Sequence, residues 1–127
     1  MAFKFERLIV WQKAIDLTAV VHNVTLKFPK EELYILSSQI KRAADSIALN
    51  IAEGSTGQTN PEFNRFLTFA LRSNIEVVSC IYIAKKRNII SDEDFNLIYQ
   101  LCQEILAMIN SLKKSLINPK TNESNNK

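Results

Sequence analysis

Few side chains in this sequence of 127 residues could carry catalytic or metal chemistry. His22 is the single histidine, and no serine or cysteine can be paired with it by spacing, so a structural or solvent-facing role is favoured over catalysis. Cys80 and Cys102 form no CxxC pair, and together with one histidine they are too few for a zinc site. We therefore expect buried reduced thiols, no metal, no cofactor and no enzyme activity.

Two short segments look like catalytic motifs but are better explained as helix ends. The acidic residues 92–94 follow Ser91, and a serine cap with an acidic first turn stabilises the start of a helix. Residues 54–57 lack the lysine and the spacing of a phosphate loop. Gly54 is instead predicted to be the left-handed cap that ends a helix.

The most informative pattern is a row of polar side chains on a helix whose neighbouring positions are apolar. Apolar residues from Leu33 to Ile51 recur at helical spacing and form one stripe of an amphipathic helix. A second row lies beside that stripe, and Leu49 flanks the row on its other side. We call this row the polar seam; it consists of Gln39, Arg42, Ser46, Asn50 and Glu53. Because buried polar groups must find partners, we expect the polar seam to specify how helices or subunits fit together.

Charged residues on two helices extend this interpretation. Glu53 ends the polar seam and is predicted to be a buried carboxylate that pairs with Arg42 or with an arginine of another helix or subunit. Acid–base catalysis by Glu53 would need a substrate cleft, so a structural role is favoured. Arg65 and Arg72 share one face of the third helix, where a paired or intersubunit role is favoured over nucleic-acid contact. An exposed Arg72–Glu76 pair would contribute only tenths of a kcal/mol.

Basic side chains gather near the ends of two predicted helices, where they could contact phosphates. The first group is Lys85, Lys86 and Arg87, and the second is Lys113 and Lys114. In antiparallel helices these groups lie at opposite ends of one subunit. Either these basic side chains stabilise the negative ends of the helix dipoles, or several subunits bring copies of a weak patch together as a basic ring. No aromatic platform of the RNA-reading type is visible, so binding is predicted to follow shape or charge rather than sequence.

Four helices are predicted to position these residues. They cover residues 8–27, 30–53, 60–87 and 92–116. Phe28-Pro29 ends the first helix and Asn88 turns the chain before the fourth. The third helix begins either with Asn60 as its cap or with a capping box that starts at Thr59.

Short loops between long helices imply antiparallel neighbours, so we predict an all-α, up-down-up-down antiparallel four-helix bundle over residues 1–117. The polar residues 118–127 are predicted to form a disordered tail. On the third helix, Phe69, Cys80 and Ile83 are predicted to point away from the other apolar side chains. A helix that is apolar nearly all round needs cover on more than one side, which favours a homo-oligomer.

Composition and charge limit the remaining possibilities. The chain is 46% hydrophobic with two glycines and three prolines, which is typical of a nearly all-helical domain. A net charge of +3 permits a nucleic-acid or acidic partner without requiring one. No apolar run approaches the ~18 residues of a membrane span, and no signal-peptide cleavage site is visible. We therefore expect a cytoplasmic protein with no membrane partner.

Five segments of the chain resemble one bacterial family. They are residues 5–14, 28–34, 38–43, 46–54 and 62–67. These segments, and above all the motif Asn50-Ile51-Ala52-Glu53-Gly54, resemble the four-helix-bundle proteins encoded by intervening sequences in 23S ribosomal RNA genes. The resemblance extends over residues 3–116. One departure is Arg72-Ser73, where many relatives have Gly-Ser.

The resemblance implies a small bundle that assembles into a ring-like homopentamer, with no enzyme activity established for the family. It also implies kinship with the accessory protein of diversity-generating retroelements, a basic pentamer that binds nucleic acid and a reverse transcriptase. We therefore predict a non-enzymatic, homo-oligomeric binding or scaffold protein whose basic patches contact structured RNA or DNA. The alternative is a protein–protein adaptor with no nucleic-acid role, which would hold another chain on the third helix or on the ring surface.

Overall fold

The computed structural model of the chain describes residues 1–57 and 59–117. Four α-helices make up most of these residues: α1 Ile9–Thr25, α2 Leu36–Ser55, α3 Asn60–Lys86 and α4 Asp92–Ile117. Short 3-10 helices over Lys4–Arg7 and Lys30–Glu32 precede α1 and α2. The predicted tail, residues 118–127, lies outside the described residues.

Each helix packs against two others, so the bundle closes around a single core. α1 contacts α2 and α4, and α3 also contacts α2 and α4, with the α2–α3 contact the most extensive. This arrangement confirms the predicted all-α four-helix bundle. Its fully buried side chains recur at helical spacing and include Leu17, Ile40, Ile47, Ile51, Leu67, Ile81, Ile98 and Ile105. Each such side chain contributes about 1.5–3 kcal/mol through its removal from water.

The ends of α3 and α4 are set by local hydrogen bonds, as predicted. Thr59 is the cap of α3, because its hydroxyl accepts a hydrogen bond from the amide of Glu62 at 3.3 Å. Asn88 adopts the left-handed conformation at a φ of 61°, and the Ile89 amide donates to the Ala84 carbonyl at 3.0 Å. This pattern is a Schellman motif, which terminates α3. At α4, the Ser91 hydroxyl accepts from the Asp94 amide at 3.0 Å.

The predicted start of the second helix is wrong. The chain forms a 3-10 helix over Lys30–Glu32, and a turn then leads into α2, which begins only at Leu36. Leu33, predicted to lie in the apolar stripe, is 46% exposed. A 3-10 turn rotates the chain by about 120° per residue instead of 100°, so the stripe drawn at α-helical spacing does not extend back across it.

Gly54 is not a left-handed cap. No glycine in residues 1–57 and 59–117 has a positive φ, and α2 continues through Gly54 to Ser55. A Cβ atom added at Gly54 would lie 2.6 Å from the Cβ of Phe66 and 3.0 Å from Cδ1 of Phe63. The glycine therefore permits the close approach of α2 to α3.

Candidate nucleic-acid interface and subunit surface

The basic residues at the end of α3 differ in how far they are engaged. Arg87 donates from Nη1 to both carboxylate oxygens of Glu32, at 3.2 and 3.3 Å. The ammonium of Lys85 lies 4.6 Å from the centroid of the Phe95 ring, close enough for a cation–π interaction. Lys86 is exposed, and neither lysine pairs with a carboxylate within the described part of the chain. The capacity to contact phosphates at this end therefore belongs mainly to Lys85 and Lys86.

The second basic group lies at the opposite end of the bundle, as the antiparallel order requires. Lys113 is half-buried, and its ammonium donates to the Thr68 hydroxyl and to the Asn64 carbonyl on the first turns of α3. Lys114 is exposed. Because Lys113 is already held by α3, only Lys114 of this pair is fully accessible in the single chain.

Aromatic rings from α3 and α4 lie beside Lys85 and Lys86. The Tyr82 and Phe95 ring centroids are 5.1 Å apart in an edge-on arrangement, and the Phe95 and Tyr99 centroids are 6.0 Å apart and stacked. Tyr82 is 53% exposed and Tyr99 is 38% exposed, whereas Phe95 is buried. We call Tyr82, Lys85, Lys86, Phe95 and Tyr99 the aromatic–basic patch. The fold thus brings aromatic side chains next to these lysines although the sequence shows no aromatic-interleaved motif around them.

A groove between α3 and α4 continues from this patch. Its volume is about 370 Å³, and its lining is mainly apolar. The lining residues are Asn74, Ile75, Val78, Ser79, Tyr82, Tyr99, Cys102, Gln103 and Leu106. Tyr82 also borders a second hollow together with Lys85, Lys86 and Asn88, so the groove and the lysines share one wall.

Below the groove, Asn74 joins α3 to α4. Its amide nitrogen donates to the Cys102 carbonyl at 2.9 Å, and the side chain is 3% exposed. Burial raises the pKa of the Cys102 thiol to about 12. The pKa of Cys80 is raised to about 11, mainly because the thiol is buried and to a smaller extent because of the negative charge of Glu76. Both cysteines are buried free thiols.

The polar seam divides into a packed middle and exposed ends. Asn50 donates from its amide nitrogen to the Ser46 carbonyl and hydroxyl, at 2.8 and 2.9 Å. Ser73 of α3 donates to the same Ser46 hydroxyl at 2.9 Å, so this half-buried cluster links α2 with α3. Gln39 and Arg42 are exposed, and Arg42 donates to Ser38 at 3.2 and 3.3 Å.

Glu53 is exposed in the single chain, so its burial against another subunit stays a prediction. Its predicted pairing with Arg42 is wrong within one chain, because eleven residues of helix separate them by about 16 Å along the axis. Among residues 1–57 and 59–117, the ion pairs are Lys13–Glu104, Lys27–Asp94 and Arg87–Glu32.

The two arginines of α3 are not ion-paired in the described residues. Arg65 places its guanidinium 5.3 Å from the centroid of the Phe69 ring, and Arg72 is exposed without the pairing to Glu76 that the spacing allowed. Within residues 1–57 and 59–117, no group of three or more His, Cys, Asp or Glu side chains is placed to hold a metal ion.

Large apolar side chains are exposed where α2 and α3 meet on the outside of the bundle. The hollow between these helices is lined by Tyr34, Ile35, Gln39, Arg42 and Glu76. We call these residues, with Leu49 of α2 and Ile83 of α3, the α2–α3 face; four of the seven are exposed large hydrophobics. Cys80 was predicted to point outward from α3 with Ile83, but it is buried in the core.

α3 is long and apolar enough to cross a membrane by length and composition alone, a test that core helices of soluble proteins also pass. Here it contacts both α2 and α4. One third (33%) of the residues in an apolar 18-residue window of α3 are buried in the single chain, and Ile75, Tyr82 and Ile83 of this helix are exposed.

Comparison with known proteins identifies the family. The family model of the 23S rRNA-intervening sequence protein matches residues 6–111, a span that includes α1, α2 and α3 completely and most of α4. The chain belongs to this family. This result confirms the resemblance found in the sequence motifs.

A solved structure shares the family's fold. It is the 1.70 Å crystal structure of a protein with unknown function from the S23 ribosomal protein family of Bacteroides thetaiotaomicron VPI-5482. The TM-score is 0.76 and the sequence identity is 22%, over 84% of this chain and 99% of that chain. At this identity the similarity establishes the fold alone. No curated protein matches the sequence.

Proposed function

We propose that this chain is a non-enzymatic, self-associating module of the cytoplasm that contacts structured RNA or DNA through Lys85 and Lys86. One observation carries the proposal. At this end of the bundle, Lys27 is neutralised by Asp94 and Arg87 by Glu32, whereas Lys85 and Lys86 have no carboxylate partner among the described residues. Two adjacent ammonium groups therefore remain available to phosphates.

A single copy of this patch is weak, which is why self-association belongs to the proposal. Asp92 and Glu93 begin α4 at the same end of the bundle and reduce the positive potential there. Several copies held in one assembly would add their phosphate contacts, and the family resemblance implies five. The exposed apolar residues of the α2–α3 face support such an assembly, because apolar surface of this kind marks an interface.

A second candidate function uses that same face differently. Tyr34 and Ile35 are among the most exposed large hydrophobic residues of the chain, and they precede α2 in an irregular turn. The chain would then be a protein adaptor that docks another polypeptide there. Charge reversal at Lys85 and Lys86 distinguishes the two functions, since the adaptor would not depend on these lysines.

The test is a binding titration of labelled RNA hairpins and duplex DNA across a salt series. The variant Lys85→Glu/Lys86→Glu is expected to weaken binding at low salt and to lower the slope of log affinity against log salt by about 1.8 per subunit engaged. Arg87 is left intact because reversing it would also break its ion pair with Glu32.

The matched control is Lys4→Glu/Arg7→Glu, which changes the net charge equally in the N-terminal 3-10 helix, where Lys4 lies against Phe63 near the opposite end of α3. It is expected to retain most of the affinity and salt slope. Equal losses in both variants would contradict a local patch and indicate only a response to net charge. Absence of binding by the unaltered protein at low salt would overturn the nucleic-acid proposal and favour the adaptor.

A further inference from the structure

We propose that the groove between α3 and α4 holds an unpaired nucleobase, stacked against Tyr82 and Tyr99, while Lys85 and Lys86 contact the phosphates of the same strand. This inference rests on the proposed nucleic-acid function and specifies its ligand: single-stranded segments such as loops, bulges and ends. Charge complementarity and the aromatic lining of the groove together carry the argument.

The buried ring of Phe95 packs against both tyrosines. Phe95 contacts Tyr82 edge-on at 5.1 Å and lies stacked against Tyr99 at 6.0 Å between ring centroids. Both tyrosines keep part of their rings exposed to solvent. Because Phe95 restricts their motion, little rotamer freedom remains to be lost when a base stacks on them.

The groove has the size and chemistry for a flat aromatic ligand with polar edges. Its volume of about 370 Å³ lies at the lower end of the range for small-molecule sites. Ile75 and Leu106 supply apolar walls, and Ser79 and Gln103 supply groups that both donate and accept hydrogen bonds. Such groups can pair with the edge of any base, so the predicted preference is for unpaired bases rather than for one sequence.

The position of the lysines favours a nucleotide over an uncharged aromatic ligand. Tyr82 lines both the groove and the hollow that it shares with Lys85 and Lys86. A base stacked on Tyr82 would therefore bring its own strand's phosphates to these ammonium groups. A regular duplex keeps its bases stacked internally, and so it can reach the lysines but not the groove.

The experiment compares three labelled probes of equal length by fluorescence anisotropy: a single-stranded RNA, the same sequence in DNA, and a blunt RNA duplex. We expect Tyr82→Ala/Tyr99→Ala to weaken binding of both single strands about tenfold or more while leaving the duplex within about twofold. Tyr82→Phe/Tyr99→Phe keeps the rings and is expected to retain the single-strand affinity. Leu26→Ala/Leu97→Ala, at two exposed apolar positions outside the groove, is the control and is expected to leave all three affinities unchanged.

A second measurement does not depend on the variants folding. Ultraviolet crosslinking of a bromouridine-substituted strand to the unaltered protein is expected to label Tyr82 or Tyr99, as located by mass spectrometry. Labels confined to other residues would overturn the inference, as would equal losses of single-strand and duplex binding in Tyr82→Ala/Tyr99→Ala.

The variants also separate this inference from the proposed function. If Lys85→Glu/Lys86→Glu loses binding while Tyr82→Ala/Tyr99→Ala does not, the groove inference fails and the proposed function stands. If no probe binds the unaltered protein, the proposed function fails as well.

Discussion

At the scale of single residues, burial decides the chemistry of the two cysteines. Cys80 and Cys102 are both buried, and burial raises their pKa values to about 11 and about 12. The thiolate, rather than the neutral thiol, reacts with oxidants and binds metals. The folded protein therefore keeps both cysteines in an unreactive form near neutral pH.

These raised pKa values predict a loss of stability in alkali. An unfolded thiol has a pKa of about 8.5, so above that pH the unfolded chain releases its protons before the folded chain does. Stability is then fully present below about pH 8.5 and falls as the pH rises towards the folded pKa of about 12 for Cys102, by up to about 1.4 kcal/mol per pH unit for each thiol.

The measurement is urea unfolding of the unaltered protein and of Cys102→Ala between pH 8 and pH 10.5. The variant loses a constant amount of stability through its smaller side chain, but its stability is expected to fall less steeply with pH. Parallel curves for the two proteins would contradict a raised pKa at Cys102.

At the scale of helices, Gly54 sets how closely α2 approaches α3. A glycine inside a helix normally costs about 0.5–1 kcal/mol relative to alanine, so Gly54→Ala would be expected to stabilise an isolated helix. Here the added Cβ would lie 2.6 Å from the Cβ of Phe66, and a Cβ is fixed to the backbone, so no rotamer change relieves the contact. We expect the variant to destabilise the protein by about 1–3 kcal/mol instead.

Thermal or urea unfolding checks this prediction. Ala19→Gly, at an exposed position of α1, measures the effect of helix propensity alone and is expected to cost about 0.5–1 kcal/mol. A Gly54→Ala protein that is as stable as the unaltered one, or more stable, would show that the two helices separate without cost.

The helix ends show which parts of the fold the sequence predicts. Asn88 and Ser91 were predicted correctly as turn and cap residues, and Thr59 is the one of two caps allowed by the sequence that the structure has, because these residues act on amides within a few positions. The start of α2 was predicted wrongly because the chain there is shaped by a 3-10 turn after Pro29. Gly54 was misassigned because its constraint comes from α3, a separate helix.

The candidate site was predicted in part for the same reason. Lys85 and Lys86 are adjacent in the sequence, so their shared position was predictable. Tyr82 lies one turn before Lys85 on α3, but its proximity to Phe95 and Tyr99 depends on the register between α3 and α4. No spacing within one helix reveals that register, and the aromatic–basic patch was missed.

At the scale of the whole molecule, α3 contributes to two separate surfaces. Ile75 and Tyr82 line the groove beside α4, whereas Glu76 lines the hollow beside α2 and Ile83 lies two turns beyond it on the same side. Consecutive residues thus point to different faces, because each step along a helix rotates by about 100°. The proposed self-association and the proposed nucleic-acid contact would therefore use separate surfaces, and Lys85→Glu/Lys86→Glu is expected to leave the proposed assembly intact.

The last prediction concerns that assembly. Ile35→Asp/Ile83→Asp places charge on the α2–α3 face, where two exposed apolar side chains lie, and burying an unpaired carboxylate in an interface is strongly unfavourable. Sedimentation or native mass spectrometry is expected to give a multiple of the 14.5 kDa chain mass for the unaltered protein and the single-chain mass for the variant.

The control for this prediction is Ile9→Asp/Leu26→Asp, at exposed apolar positions of α1 and its C-terminal end, and it is expected to keep the assembled mass. If Ile35→Asp/Ile83→Asp assembles like the unaltered protein, the interface does not lie on the α2–α3 face. If the unaltered protein has the single-chain mass, there is no basic ring, and Lys85 and Lys86 form only one weak patch.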